Sequence, residues 1–276
     1  MVGTSLPRYR VLALDIDGTI ADREFGVPRA TIDVIQEAIE AGVLVSLATG
    51  RMRRSAVGYA RLCGTNGPII CYQGAVTTSA DHLSDIRHER LSPEVAVEAV
   101  SQMREAGGEI IVFLDDQIYA SRRTEWAESY CGRMNASLHV VESLEDVAKA
   151  GPTVVVAVDE LERTGALAMS LRRKFGALAT VTHSLPRFCE VASPLAGKHQ
   201  ALAHLAAQLG FTAPEVVAAG DEHADIAMLE WAGLAITVED AVPAAKKAAD
   251  RVVPGPERNG VADVIRLLLR EGKLGG

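Results

Sequence analysis

The chain has 276 residues, 48% of them hydrophobic and 23% charged, with a formal net charge of -8; this suffices to bury a core in one large domain or two smaller ones. The acidic balance argues against a nucleic-acid binder, though not against a local basic pocket for a small anion. No apolar run approaches the ~20 residues of a membrane span, and the short polar start, Met1 to Arg10, lacks a signal-peptide layout, so the expected location is the cytoplasm.

The first apolar run, Val11-Leu12-Ala13-Leu14, empties into Asp15-Ile16-Asp17-Gly18-Thr19 and then the polar segment Ala21-Asp22-Arg23-Glu24. This reads as a buried strand ending in a loop. Two carboxylates at the mouth of a buried strand repel each other and lose hydration if both stay ionised. A divalent cation relieves both problems, and Mg2+ takes hard oxygen ligands of this type. Gly18 lets the backbone turn sharply and approach a ligand closely. The stretch is either a carboxylate nucleophile beside an acid–base carboxylate, or a strand-to-turn junction that Asp and Gly merely build.

Pro28 to Ala41 has Ile32, Ile35 and Ile39 at helical spacing, with Gly42 where a terminating glycine belongs. Val43 to Ala48 is a second buried strand, ending in Thr49-Gly50-Arg51. Strand, helix, strand favours a parallel sheet with covering helices. Ligands of such sheets bind beyond the carboxyl ends of the strands, so Asp15 and Thr49 are expected to meet at one edge. Met52 to Cys63 is a further helix, and Pro68 to Tyr72 a third strand, ending in Gln73-Gly74-Ala75.

The pattern then changes. From about Asp81 to Pro194 it predicts helices over Pro93 to Ala106, Thr124 to Met134 and Leu161 to Phe175. Strands are expected at Glu109 to Leu114, Gln117 to Ser121, Leu138 to Val141, Thr153 to Val158, Ala179 to His183 and Arg187 to Val191. Turns at Asp115-Asp116 and Leu185-Pro186 imply antiparallel pairing in an inserted second domain. The parallel pattern resumes with a helix over Lys198 to Leu209 and a strand, Val216 to Ala219, ending in Gly220-Asp221-Glu222-His223-Ala224-Asp225. After it come a helix to Gly233, a strand over Leu234 to Val238, a helix over Pro243 to Ala249, a strand over Arg251 to Val253 and a last helix over Val261 to Arg270. Cys63, Cys71, Cys131 and Cys189 lack the spacing of a zinc site and the density of a disulfide scaffold; they are expected to be reduced and packed.

Polar groups thus fall at strand ends or helix starts of one sheet: Asp15 and Asp17, Thr49, Lys198, and Asp221 with Asp225. Each alone has a plainer explanation. Thr49-Gly50 can be a turn, Lys198 a solvated residue, and Asp221 and Asp225 acids favouring a helix dipole. In this order, over nearly the whole chain, they resemble the haloacid-dehalogenase superfamily of phosphotransferases, most closely its Cof-type branch with a large inserted α/β cap. The first motif is Asp15-Ile16-Asp17-Gly18-Thr19, the second Thr49-Gly50-Arg51, the third Lys198 after Ser193-Pro194-Leu195-Ala196-Gly197, and the fourth Gly220-Asp221 with Asp225, followed by Met228-Leu229. Asn259-Gly260-Val261-Ala262 is similar to a loop the branch often carries before its last helix.

The resemblance implies that Asp15 attacks the phosphorus of a phosphomonoester and forms an aspartyl-phosphate. It implies that Asp17 protonates the leaving alcohol and then takes a proton from water. Thr49 and the Gly50 amide would bind a phosphoryl oxygen, with Lys198 pairing to phosphate and Asp15. Mg2+ would be held by Asp15, the Asp17 carbonyl and Asp221, while Asp225 orients a water or Lys198 from behind them. The chain departs from the branch at Ala224 and Gln73, where Asn is usual. Gln73 keeps an amide, on a longer arm, as a substrate-binding group. Arg187, Phe188 and Glu190 are candidates for substrate contact. His223 is expected to be exposed or to face substrate, and His82, His88 and His183 have no partner assignable from sequence. Arg51 supports either the phosphate site or the cap.

The expected protein is therefore α/β, with a Rossmann-like parallel-sheet core over 1–82 and 193–276 and an inserted α/β (C2-type) cap over 83–192. It is expected to be a Mg2+-dependent phosphatase of small phosphorylated metabolites resembling sugar phosphates, monomeric or homodimeric, with no nucleic-acid or membrane partner. The rivals are a phosphosugar mutase of the same superfamily and a non-catalytic phosphate- or metal-binding regulator. A receiver domain is disfavoured by the length and the large insert.

Overall fold

The computed structural model describes residues 9–22, 26–182 and 187–276. Arg23, Glu24, His183 and the expected turn at Leu185 and Pro186 lie outside the described residues. The first part of the chain forms β1 (Val11–Leu14), α1 (Arg29–Glu40), β2 (Leu44–Leu47), α2 (Arg53–Cys63), β3 (Ile70–Cys71) and β4 (Val76–Thr78). The middle forms β5 (Asp85–His88), α3 (Pro93–Ala106), β6 (Glu109–Leu114), β7 (Gln117–Ala120), α4 (Glu125–Arg133), β8 (Leu138–Val140), α5 (Leu144–Ala148), β9 (Val154–Val158), α6 (Leu161–Phe175), β10 (Thr180–Thr182) and β11 (Phe188–Ala192). The last part forms α7 (Lys198–Leu209), β12 (Val216–Ala219), α8 (Ile226–Trp231), β13 (Leu234–Val238), α9 (Pro243–Ala248), β14 (Arg251–Val253) and α10 (Gly260–Arg270). The chain divides into two compact units, one of Met1–Gly50, Ala56–Asp85 and Gly197–Gly276, the other of Arg51–Ser55 and Ile86–Ala196.

The first unit is built on a five-stranded parallel sheet in the order β14-β13-β12-β1-β2. A parallel sheet covered on both faces needs strands without a polar side, and β1 and β12, Val-Leu-Ala-Leu and Val-Val-Ala-Ala, are wholly buried. From β1 the chain crosses outward to β2; on its return it builds β12, β13 and β14 in the opposite direction. The winding reverses between β1 and β12, where side chains leaving the carboxyl ends of both strands face one crevice. Leu14 is in register with Leu47 on one side and Ala219 on the other. The residues that follow these three positions are those singled out from sequence.

The expected third strand is shorter than its apolar run. Only Ile70 and Cys71 are extended, and they pair antiparallel with β4, touching the parallel sheet through an Ala48–Ile70 bridge. The cause lies in the next residues: Tyr72, Gln73 and Gly74 have φ of 49°, 54° and 98°, which turns the chain out of the strand.

In the second unit a six-stranded sheet runs β10-β11-β9-β6-β7-β8, antiparallel except for the β7–β8 pair. Asp115 and Asp116, at φ of 51° and 58°, make the two-residue turn between β6 and β7. Val112, Val155, Cys189 and Val191 of the sheet pack with Val95, Met103, Leu171 and Phe175 of the helices in this unit's core. Sequence periodicity missed β4, β5 and α5. None exceeds five residues, too short for a periodic pattern to show, and α5 is marked mainly by its cap, Ser143 Oγ accepting from the Asp146 amide. An α/β protein with a parallel-sheet core and an inserted α/β domain is what the structure shows.

Candidate active site

The site lies within the first unit and is assembled from four separate stretches. Asp15 follows β1, its amide still donating to Ala219 O at 2.9 Å. The chain then folds back at once: Ile16 O accepts from the amides of Ile20 (3.1 Å) and Ala21 (2.8 Å), and Gly18 N donates to Ala21 O. Gly18 is required here twice. Its φ is +84°, and a methyl group on it would overlap the Asp221 carboxylate. Thr19 Oγ1 donates to Asp221 Oδ1 at 3.0 Å, joining the first loop to the one after β12.

Lys198 opens α7 and is only 3% exposed. A buried ammonium at a helix N-terminus opposes both desolvation and the helix dipole, so its placement has to be held by anions. Its Nζ donates to Asp15 Oδ1 at 2.7 Å and to Asp225 Oδ1 at 2.6 Å. These bonds exclude the solvated placement of Lys198. Asp225 uses its other oxygen to accept from the amides of Asp221 (3.1 Å) and Glu222 (3.0 Å). It therefore fixes both the lysine and the loop carrying Asp221. Gly220, with no room for a Cβ beside Asp225, has its carbonyl held by Thr237 Oγ1 at 2.7 Å.

Asp15, Asp221 and Asp225 are all buried and offer oxygens within 4.8 Å of one another. One lysine among three carboxylates leaves an excess of negative charge. Burial pushes the Asp15 carboxyl well above its usual value; Lys198 opposes this, and Asp225 and Asp221 reinforce it. Burial, then Asp225, lifts Asp221 to about 6 against the pull of the Thr19 hydrogen bond. Burial works against the Lys198 cation, but Asp15 and Asp225 outweigh it and raise its pKa. Hard oxygens with unbalanced charge and raised proton affinity fit a Mg2+ ion. Because both Asp225 oxygens already accept protein hydrogen bonds, Asp15 and Asp221 are the carboxylates better placed to serve a cation.

Asp17 is half-buried on the first loop and is not one of the three clustered acids. Thr49 is buried, its amide donating to Ile70 O (2.8 Å) and its carbonyl accepting from Gln73 N (3.1 Å). Gly50 is exposed beside it. Gln73 lies against Gly50, where a methyl would overlap its amide, and Gly74 is seated so close to Gly197 and Lys198 that no Cβ fits. His223 is exposed and Ala224 half-buried. His88 shares a hydrogen bond with Thr153 Oγ1 (2.9 Å), and His82 meets Gly67 O at 3.3 Å. Arg51 Nη1 donates to Ser55 Oγ at 3.0 Å.

Within the second unit, Phe188 packs on Trp126 and Tyr130, at ring separations of 5.9 and 5.8 Å. Glu190 accepts from Thr182 Oγ1 (3.0 Å), and Arg187 Nε donates to Asp159 O (3.3 Å). All four cysteines are buried and none is in a disulfide. Sequence reasoning assigned no role to Thr19 or Gly74. Only their places beside Asp17-Gly18 and Gln73 hinted at one.

Residues 12–265 match the model of the haloacid dehalogenase-like hydrolase family. A pyridoxal phosphate phosphatase of Escherichia coli, YbhA, is 24% identical over 274 residues, covering 93% of this chain and 97% of that one. The crystal structure of TM0651 from Thermotoga maritima superposes with a TM-score of 0.82 at 28% identity, covering 94% and 97% of the two chains. A sugar phosphatase of HAD subclass IIB, BT4131, does so with a TM-score of 0.80 at 19% identity, over 96% and 99%. Among the described residues, no helix is long and apolar enough to cross a membrane.

Proposed function

Since the chain belongs to the haloacid dehalogenase-like hydrolases, in their Cof-type branch, we propose that it is a Mg2+-dependent phosphatase of small phosphorylated metabolites working through an aspartyl-phosphate. The observation that carries this reading is the buried Asp15–Lys198–Asp225 network with Asp221 alongside. Such a network is costly for a fold to keep unless its groups act.

Lys198 occupies Asp15 Oδ1, which leaves Oδ2 to bond to phosphorus as the bond to the leaving oxygen breaks. Asp17, on the same loop, gives its proton to that oxygen, so the product leaves as an alcohol. Asp17 then takes a proton from water as the water oxygen attacks phosphorus, releasing phosphate and restoring the Asp15 carboxylate. The Thr49 hydroxyl, the Gly50 amide and Lys198 hold the phosphoryl oxygens, where the charge is greatest. Asp15, Asp221 and the Asp17 carbonyl would hold Mg2+, which when bound supplies charge to offset the carboxylates and the phosphate. Asp225 keeps Lys198 and the Asp221 loop in place. A catalytic core over 1–82 and 193–276 with a cap over 83–192 is part of the proposal.

The size of the substrate is supported by the names of the relatives, one acting on pyridoxal phosphate and one on sugar phosphates. A sugar-phosphate-like metabolite is the expected class. The test is release of p-nitrophenol and phosphate from p-nitrophenyl phosphate with Mg2+. Wild type is expected to turn over and Asp15→Asn not to. Equal behaviour of the two removes the mechanism, and absence of turnover in wild type favours a binding protein. Formation of a phosphosugar isomer instead of free phosphate would identify a mutase.

A further inference from the structure

Helix α2 begins against the electrostatics of its own terminus. Its first two residues are Arg53 and Arg54, and its first turn holds no acid. Positive charge there opposes the helix dipole. Met52, just before the helix, has no side-chain oxygen to offer the leading amides.

A second cost stands 62 residues further on. Asp116 takes the second position of the β6–β7 turn at φ of 58°, where turns of this kind favour glycine. Its side chain is only 10% exposed. A carboxylate desolvated at a position that glycine would fill at lower cost needs a partner.

One contact answers both. Asp116 Oδ2 accepts from the Arg54 amide at 3.2 Å and from Arg54 Nε at 3.3 Å, and lies 3.9 Å from Arg53 Nε. Arg54 is the second residue of α2, and an N-cap side chain accepts from just such an amide. Asp116 thus caps α2 from outside the helix and supplies the negative charge its terminus lacks. Arg54 Nη1 also donates to Asn135 O at 3.4 Å, just past α4, where a cation suits the other end of a helix. These groups all belong to the second unit, which takes in Arg51–Ser55, whereas Thr49 and Gly50 belong to the first. Arg51 and Met52 alone separate Gly50 from the capped helix. The carboxylate therefore fixes the chain as it leaves Thr49–Gly50.

We propose that Asp116 is a positioning residue for phosphate binding: by capping α2 it holds in place the stretch whose Thr49 hydroxyl and Gly50 amide take the phosphoryl oxygen. This rests on the phosphatase reading above.

The test uses Asp116→Gly and Asp116→Asn in the full chain with Mg2+, with inorganic phosphate as the binding probe. Asp116→Gly removes the cap while giving the turn the residue it favours, so Tm stays within about 3 °C of wild type. Asp116→Asn keeps an oxygen for the Arg54 amide and tolerates the positive φ. By titration calorimetry, phosphate binding weakens about fivefold in Asp116→Gly, the worth of an ordinary cap, and stays within about twofold in Asp116→Asn. KM for p-nitrophenyl phosphate follows binding, while kcat stays within about threefold. Amide hydrogen exchange over Arg51–Ser55 quickens in Asp116→Gly. Unchanged exchange there overturns the proposal, because no cap was lost. So does faster exchange with phosphate bound as in wild type, since the cap would then position nothing. A Tm loss well beyond 3 °C, with Asp116→Asn binding as weakly as Asp116→Gly, makes Asp116 structural and also overturns it. If wild type hydrolyses the ester in any of these cases, the phosphatase reading survives them. A wild type that binds phosphate in an Asp116-dependent way without hydrolysing the ester overturns that reading and leaves the positioning role standing; one that does neither removes both.

Discussion

Replacing Lys198 with Met tests whether the lysine organises the site. Met matches Lys in length and helix preference, so α7 keeps its packing and propensity. What disappears is the single cation bonded at 2.7 Å to Asp15 and 2.6 Å to Asp225, inside a cluster whose three carboxylates lie within 4.8 Å. Removing one partner of a buried ion pair costs about 3–5 kcal/mol. At roughly 2–4 °C per kcal/mol for a chain of this size, that lowers Tm by about 10 °C. The orphaned acids can shed part of the cost by taking up protons. Their folded pKa values rise further above the unfolded ones, so the destabilisation grows with pH and is smaller at pH 5 than at pH 7. Calorimetry of wild type and Lys198→Met in EDTA at both pH values measures this, and p-nitrophenyl phosphate with Mg2+ measures a turnover expected to fall about 100-fold or more. A Tm within 3 °C of wild type at pH 7, or turnover within about tenfold, would refute the assigned role.

Gly18→Ala is expected to fold but to weaken Mg2+ binding about tenfold or more, because the methyl occupies the place of the Asp221 carboxylate and φ is +84°; titration calorimetry reads the affinity. In the metal-free protein Asp221 titrates near 6, well above an ordinary carboxyl. Between these values the folded chain holds a proton the unfolded chain has lost, so this group's contribution to stability falls as pH rises from about 4 to about 6, by at most about 3 kcal/mol. Urea midpoints in EDTA across that range should show the loss in wild type relative to Asp221→Asn, and parallel curves would contradict it. Thr19→Val removes the 3.0 Å bond to Asp221 Oδ1. The expected outcome is a stability loss of about 1 kcal/mol by urea unfolding, with weaker Mg2+ binding and unchanged secondary structure by circular dichroism.

The parallel core was legible because strands covered on both faces carry uninterrupted apolar runs. Val11 to Leu14 and Val216 to Ala219 could hardly be anything else. The ordered polar groups after them were legible too, since the carboxyl ends of such strands are where ligands bind. Local pattern could not foresee the two-residue β3 or the five-residue α5. It could not foresee the left-handed turn at Tyr72 and Gln73 either, because neither residue type favours that conformation and only its contacts hold it.

The sequence by itself determined which side chains carry charge and at which strand ends they emerge. The tertiary structure alone decided that Lys198, 183 residues from Asp15, would be buried against it, that Asp225 would spend both oxygens on the lysine and the Asp221 loop, and that Thr19 would hold Asp221. Propensity acts over a few residues, whereas the partner of a buried charge is set by the winding that brings β1 and β12 side by side.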